Sequence, residues 1–520
     1  SLRHQGTYLM PLLNHFSNAN LNKLESKQDE VYFNIPFSFV SYPFDWVLPM
    51  FIIAIILFGV LIFIGLAKHL LNFGEILRGF VPFLGALIFT GLITFFGWKL
   101  LLVIYPQYQD LLNGFTYNGH DYIGAFVALS LSIALFFYQW FSQRKVTMNH
   151  YIAPLFLWIL INGFIAIHLK GAGFFIIPVF FGLLSLAVFV LTQKSAKALN
   201  FIFCIPGLIL IAPFIQMFPI GLGLKVLFGS AILTVLTFGL MLPVFGDFTR
   251  KGFWSLVFFL LSIGFLVKAQ INSGYEKGKA KSNSLIYFYN ADTKKAVWAT
   301  YDVNLDTWTK AYLGEDPKTA NLSKDLPFFS KYNSKFTYDS KAPLKNIALP
   351  TIAFLKDTIV RNYRHLKIQI SPNRKVNRYD IFANEKMELQ NFKANGTAHL
   401  NQEGTKYKRK DKRILSYYVV DNEPLIIEFK IKKNTVFDMD MVEASFDLLH
   451  NPLFKMIKRQ PWMMPTPFIL NDAVVVKQKI KSNTKTIALP VTTNINSVKK
   501  DSVQITTDTL QPINIINETN

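Results

Sequence analysis

Long apolar stretches dominate the first half of the chain, and short alternating ones the second. Eight apolar segments run approximately 46–66, 79–98, 122–142, 151–169, 172–192, 200–217, 223–244 and 252–270. Each is close to the roughly 20 residues that an α-helix needs to cross about 30 Å of hydrocarbon. The first reads "WVLPMFIIAIILFGVLIFIGL" and carries no charge. The fourth and fifth are divided by "KGAG" and the sixth and seventh around "FPIGLGLK". Either pair reads as one re-entrant segment or as two spans, and the combined lengths favour two.

Beyond "INSGYEKGKAKSNS", which reads as a Gly/Ser/Lys linker, the period changes to two. "SLIYFYNADTKKAVWATYD" predicts strand, turn and strand, with the turn beginning at Asn290. "HLKIQIS" places Leu366, Ile368 and Ile370 on one face. "RILSYYVVDNEPLIIEFKIKK" reads as a second hairpin pivoting on Asp421, Asn422, Glu423 and Pro424, and "DAVVVKQKI" as another strand. Ahead of the first span, Tyr8, Leu9, Leu12, Leu13 and Phe16 recur at helical spacing and predict a helix with one apolar face over 1–22. A linker over 23–45 then leads to the membrane. The pattern as a whole predicts a polytopic α-helical membrane bundle of about eight transmembrane helices over 46–271. A β-rich, sandwich-like extracytoplasmic domain over 272–480 and a polar, largely disordered tail over 481–520 follow, the tail with one weak strand at "TIALPV".

Charge sets the expected sidedness. The odd connections hold Lys68, Arg78, Arg144, Lys145, Lys194, Lys197, Arg250 and Lys251, whereas the even ones contribute only Lys170 and Lys225, with Lys99 at a span end. An excess of Lys and Arg marks cytoplasmic loops, so an even number of spans leaves both polar ends outside the cytoplasm. Tyr42, Phe44 and Trp46 form the expected aromatic anchor at the outer face. Residues 1–42 hold no signal peptide, so something upstream is expected to carry the N-terminus across. The formal charge of +21 points to anionic headgroups of the lipid bilayer and not to nucleic acid, because the basic residues flank apolar spans or spread through the strand-rich part. The single cysteine, Cys204, lies in an apolar run and excludes an internal disulfide or a Cys-based zinc site.

Candidate chemistry is sparse. The nine histidines make no HExxH or HxH pair, and neither "EE" nor "DD" occurs. His120 beside Asp121 reads as a ligand or base pair, or as a solvated loop. Asp438 and Asp440 share a strand face, which suits calcium or simply an exposed polar face. The basic run "KYKRKDKR" at 406–413 reads as a lipid contact or a solvated hairpin tip. Lys99, His168, Lys225 and Gln216 lie near span ends, where long side chains reach the headgroups. No Asp or Glu falls in the middle of a span, which weighs against a proton relay.

"SLRHQGTYLMPLLNHF" resembles the last helix of the M28 zinc-peptidase domain, and "VYFNIPFSFVSYPFDWV" the entry to the first span of membrane-bound M28 proteins. Those are the endoplasmic-reticulum metallopeptidase 1 and vacuolar membrane protease group and their bacterial relatives. "ADTKKAVWATYDVNLDTWTKAYLG" and "PWMMPTPFILNDAVVVKQ" resemble the bacterial members. Pro11 departs from the family's helix and is expected to kink it or delay its start.

The resemblance implies an integral protein of a bacterial inner membrane, with the N-terminus and C-terminal domain extracytoplasmic. It implies a peptidase domain upstream that binds two zinc ions through His, Asp and Glu, with a Glu-Glu pair as base and ligand, and that acts on peptide substrates. None of those motifs matches a position here, and His4 falls on a non-ligand position. No catalytic, cofactor-binding or metal residue is therefore carried over, and this chain alone is expected to bind no zinc and hydrolyse nothing. The expected partners are the bilayer and the peptidase domain. Two other classes compete: a polytopic transporter or channel with a β-rich accessory domain, and a membrane glycosyltransferase using Asp110 and Asp121.

Overall fold

The structure is a computed structural model that describes residues 2–23, 25, 28–111, 113–141, 147–246, 250–321, 335–398, 402–403, 406–407 and 412–481. Its helices are α1 (Leu2–Asn18), α2 (Val47–Ala67), α3 (Phe73–Ile104), α4 (Gly119–Phe141), α5 (Met148–His168), α6 (Ile176–Thr192), α7 (Lys197–Leu222), α8 (Leu227–Leu240), the short α9 (Leu242–Phe245), α10 (Lys251–Ile271) and α11 (Thr307–Leu313). Among the described residues seven helical segments, those built on α2 to α7 and on α10, are long and apolar enough to cross a membrane. The segment predicted as the seventh span is shorter: a 3-10 turn at Leu224–Val226, then the 14 residues of α8, then α9. Contacts divide the chain into two compact units, Ser1–Tyr287 with Ala296–Pro343 and Asp447–Ala473, and Phe288–Lys295 with Leu344–Phe446 and Val474–Asn520.

In the first unit α3 packs against α4, α5 and α8, while α7 joins α6 to α8 and α10 lies along α4. Small residues set these approaches. A Cβ at Gly79 would lie 2.6 Å from the Cα of His150, and one at Gly239 would lie 2.6 Å from Pro154 and 2.7 Å from Phe83. Short as it is, α8 is the most enclosed helix, with every residue from Leu233 to Leu240 buried. Its two threonine hydroxyls bond back to the helix, Thr234 donating to Ser230 O and Thr237 to Leu233 O, and Trp158 Nε1 donates to Leu236 O, whereas the buried Ser230 Oγ has no partner among the described residues. Its first residue, Leu227, clusters with Trp98, Tyr108 and Tyr122, whereas Gly239 meets Phe83. From Leu227 to Gly239 is 12 steps of about 1.5 Å, so the helix covers about 18 Å of the bundle's depth. The outward faces of α2, α3 and α10 are apolar and exposed, as a hydrocarbon surround requires.

Ahead of α2, β1 (Glu30–Ile35) and β2 (Ser38–Pro43) form an antiparallel hairpin. One face, with Val31, Phe33 and Tyr42, clusters with Val47, Ala166 and Phe174, while Tyr32 and Phe39 on the other stay exposed. α1 begins at Leu2 with Pro11 in its interior, so the delayed start expected of that proline does not occur. Its apolar face is bare: Leu9 is 62% exposed and Leu13 61%.

The remaining strands are β3 (Lys281–Asn283), β4 (Ile286–Asn290), β5 (Lys295–Thr300), β6 (Lys318–Thr319), β7 (Tyr338–Lys341), β8 (Thr351–Val360), β9 (Tyr363–Ser371), β10 (Arg378–Ala383), β11 (Gln390–Ala394), β12 (Thr397–Ala398), β13 (Gln402–Glu403), β14 (Lys406–Tyr407), β15 (Arg413–Tyr418), β16 (Leu425–Lys432), β17 (Met439–Ser445), β18 (Met463–Pro465) and β19 (Ala473–Lys479). Within the first unit β5, β7 and β6 pair antiparallel, and β3 pairs parallel with β18. The second unit lays the run β15-β10-β17-β19 against the run β13-β14-β11-β16-β9-β8. The two share one core of Leu366, Ile368, Ile370, Tyr379, Ile381, Phe392, Ile427 and Met441.

The predicted hairpin at 413–432 is a correction. β15 pairs with β10, and β16 pairs with β9 and β11, so the turn at Asp421 and Asn422 carries the chain between sheets. Both residues take positive φ (49° and 60°), which Asp and Asn tolerate. Both strands bury one face in the shared core, a pattern that alternation alone cannot tell from a hairpin. The expected strand "TIALPV" and the tail after it lie outside the described residues.

Candidate functional site

The four residues that close the apparent linker, Lys281, Ser282, Asn283 and Ser284, are polar, consecutive and almost fully buried. Linker composition misleads here. Burying such groups costs several kcal/mol each unless they are bonded, and every one of them is. Ser282 Oγ donates to Asp110 O, and Asn283 Nδ2 donates to Asp306 Oδ2 at 2.9 Å. Ser284 Oγ donates to Asp302 Oδ1 at 2.6 Å and accepts the Tyr301 N–H. Lys281 Nζ donates to Asn304 O at 2.7 Å and stands 3.6 Å from both Asp110 Oδ2 and Asp306 Oδ2.

Local sequence explains the rest. Asp110 ends the 3-10 turn Pro106–Asp110 that follows α3, and its Oδ1 accepts the N–H groups of Val303 (2.6 Å) and Asn304 (3.3 Å). Asp306 caps α11 in a reciprocal box with Thr309. Beyond Asn283 the network continues into Arg459, whose Nε donates to Asn283 Oδ1 at 2.6 Å. The rest of its guanidinium grips Asp472 with two bonds of 2.6 and 2.5 Å. The guanidinium also lies 4.3 Å over the Trp308 ring.

One ammonium thus serves three carboxyls, and their protonation divides accordingly. Burial, with the nearby Asp110 charge, pushes Asp302 up to about 7. Burial also raises Asp110, against the pull of Lys281 and the two backbone N–H donors. For Asp306 burial is outweighed by the Asn283, Thr309 and Lys281 contacts, and its carboxyl lies below the usual range. Asp302 Oδ2 and Asp110 Oδ2 are buried without a hydrogen-bond partner. A proton on Asp302 removes one negative charge from a cluster that has two too many.

Further bonds tie the same loop and the start of α4 to the end of α10 and the chain after it. Asn118 Nδ2 donates to Ala269 O, Tyr117 OH to Ala280 O, Tyr275 OH to Gln107 O, and Lys268 Nζ meets Asp121 Oδ1 at 2.8 Å. The arrangement is a fastening that includes a titratable acid. Among the described residues no three His, Cys, Asp or Glu side chains are placed to hold a metal ion.

The residues singled out in sequence are dispersed. Asp121 is buried in the first turn of α4 and turned to Lys268, while His120 is exposed beside the Phe115 ring, so the two side chains turn to different partners. Asp110 and Asp121, the glycosyltransferase candidates, each bind a lysine instead. Asp438 meets Asn384 and Lys479, and Asp440 is half-buried on β17. Lys99 sits over Phe95, and Cys204 is buried against Leu240 O. Within the basic run, Lys406 pairs with Glu388, and 408–411 lie outside the described residues. Sequence reasoning missed Lys281, Asp302 and Asp306. The capping spacing at 306–309 was the one available signal.

The build defines a multi-pass membrane protein with a β-rich C-terminal region. No family model, curated protein or solved structure matches the chain.

Proposed function

We propose that this chain is the membrane-anchoring and post-membrane part of an M28-type zinc peptidase, and that it holds the catalytic domain at the outer face of a bacterial inner membrane. The observation that carries the reading is α1: a 17-residue helix whose Leu9, Leu12, Leu13 and Phe16 are all exposed. Such a face requires a partner. The resemblance of this helix to the last helix of the M28 domain supports that domain as the partner. On this reading the two zinc ions and the catalytic steps belong to the peptidase domain.

Sidedness follows from counting α8 as a crossing, which its depth in the bundle supports. With eight crossings, the excess of Lys and Arg on the odd connections supports a topology with α1 and the β-rich region both outside the cytoplasm. The buried cluster then fastens the post-membrane segment to the outer loop after α3. The whole protein hydrolyses peptides beside the membrane, and the bundle fixes how far from the bilayer the cut is made.

The test is the product of the complete gene, purified from its own membranes. Coding sequence ahead of Ser1 with HxD and Glu-Glu motifs, and chelator-sensitive hydrolysis of aminoacyl substrates, are expected. Single cysteines at Ser17 and Lys433, in a chain whose own Cys204 is buried, should both react with an impermeant maleimide in spheroplasts. Labelling of only one overturns the topology, and chelator-insensitive or absent hydrolysis overturns the peptidase.

A further inference from the structure

Where α3 and α10 flank α4, an open apolar groove of about 740 Å³ runs along the bundle surface. Its floor contains Ser132 and Ser255, whose hydroxyls each donate to the other's carbonyl at 2.8 Å. The floor's polar atoms are thus satisfied within the protein, and the groove offers carbon to its occupant. Phe89 and Ile93 of α3 form one wall and Leu256 and Phe259 of α10 the other. The α4 lining extends from Leu129 to Phe141. That is 12 steps of about 1.5 Å, roughly 18 Å. One leaflet of a hydrocarbon core about 30 Å thick is about 15 Å deep. The groove is one acyl chain long.

Charge marks one end only. α4 ends at Phe141 and α10 begins at Lys251, and Gly252 lines the groove there. Arg250 is exposed at the N-cap of α10. A phosphate at that level gains from the Arg250 charge and from the positive end of the helix dipole.

We propose that this groove binds one acyl chain of an anionic phospholipid, with the phosphate beside Arg250 and the tail along α4 toward the bilayer midplane. The inference needs only a bilayer around the bundle and does not depend on the peptidase reading.

The test uses the full chain in phosphatidylcholine vesicles containing either phosphatidylglycerol or phosphatidylcholine with a diazirine in the tail, cross-links being located by peptide mass spectrometry. The phosphatidylglycerol probe should label 132–141 and 252–259 in preference to the exposed α2 face at Ile52, Ile53 and Ile56. It should do so about five-fold more than the phosphatidylcholine probe, the ratio that about 1 kcal/mol per basic residue gives. Gly252→Leu should remove the groove labelling and spare α2, because the added Cβ meets only Gln139, at 3.6 Å. Arg250→Gln should abolish the headgroup preference and keep the tail contact. Equal labelling of groove and α2 would mean ordinary boundary lipid and overturn the proposal. So would equal labelling by both headgroups, or a groove closed by a second copy and seen as a cross-linked dimer.

Discussion

Replacing Asp302 with asparagine should remove a pH dependence from the segment that follows α10. In the fold this carboxyl is held at about 7, against an ordinary value of 3.8, chiefly because it is buried. Below pH 3.8 the group is protonated in both folded and unfolded chains and costs nothing. As pH rises from there the unfolded chain ionises first, so stability is lost progressively until the folded group ionises near 7. The full loss is about 4 kcal/mol, of which about 3 kcal/mol falls between about pH 5 and pH 8. The amide introduced by Asp302→Asn would stay neutral at every pH and still accept the Ser284 hydroxyl through its Oδ1.

Amide hydrogen exchange on peptides covering 280–306, with the full protein in detergent, reads the effect. Comparing variant and wild type at each pH cancels the intrinsic exchange rates. The variant should be about a hundred-fold better protected, relative to wild type, at about pH 8 than at pH 5, the factor that about 3 kcal/mol implies. Asp110 shares the cluster and the sign of the shift, so a shallower slope should persist in the variant. A protection ratio that stays constant across that range would show that Asp302 is ionised throughout, and the account of the cluster would fail.

Four further substitutions probe the cluster and the bundle. Lys281→Met strands Asp110 and Asp306 and should cost about 3–5 kcal/mol, with partial recovery on adding Asp110→Asn, measured by thermal unfolding in detergent. Arg459→Lys loses the two-bond grip on Asp472 and the stack on Trp308, and should cost about 1.5–3 kcal/mol, read as lower exchange protection around Asn283. Gly79→Leu drives a side chain into the His150 backbone and should lower stability by about 1–3 kcal/mol or more. Gly59→Leu, with nothing within 4 Å, should leave the melting temperature unchanged.

Where one face or one whole element answers to the solvent, the sequence was enough. Leu366, Ile368 and Ile370 alternate in sequence and are buried together on β9. The charge-free run after Trp46 is α2. α8 shows the limit: its hydropathy marked a membrane segment, but its shortness comes from the turn at Gly223, whose positive φ of 85° favours glycine, and from neighbours that surround it. The misread hairpin has a similar cause, because β15 and β16 bury their alternate residues in the same core from opposite sheets.

The chain's order of residues by itself determined which segments shun water, where the period turns from helix to strand, and that basic residues gather on alternate connections. Those are local properties, set by one residue's exchange with solvent and its nearest neighbours. Only the tertiary structure decided that Lys281, Asp110, Asp302 and Asp306 meet, that Ser132 and Ser255 close the floor of a groove, and that a Lys-Ser-Asn-Ser run belongs to a core. These depend on partners far away in the chain, as in the 194-residue separation of Asp110 and Asn304, and composition holds no record of which distant group will satisfy a buried charge.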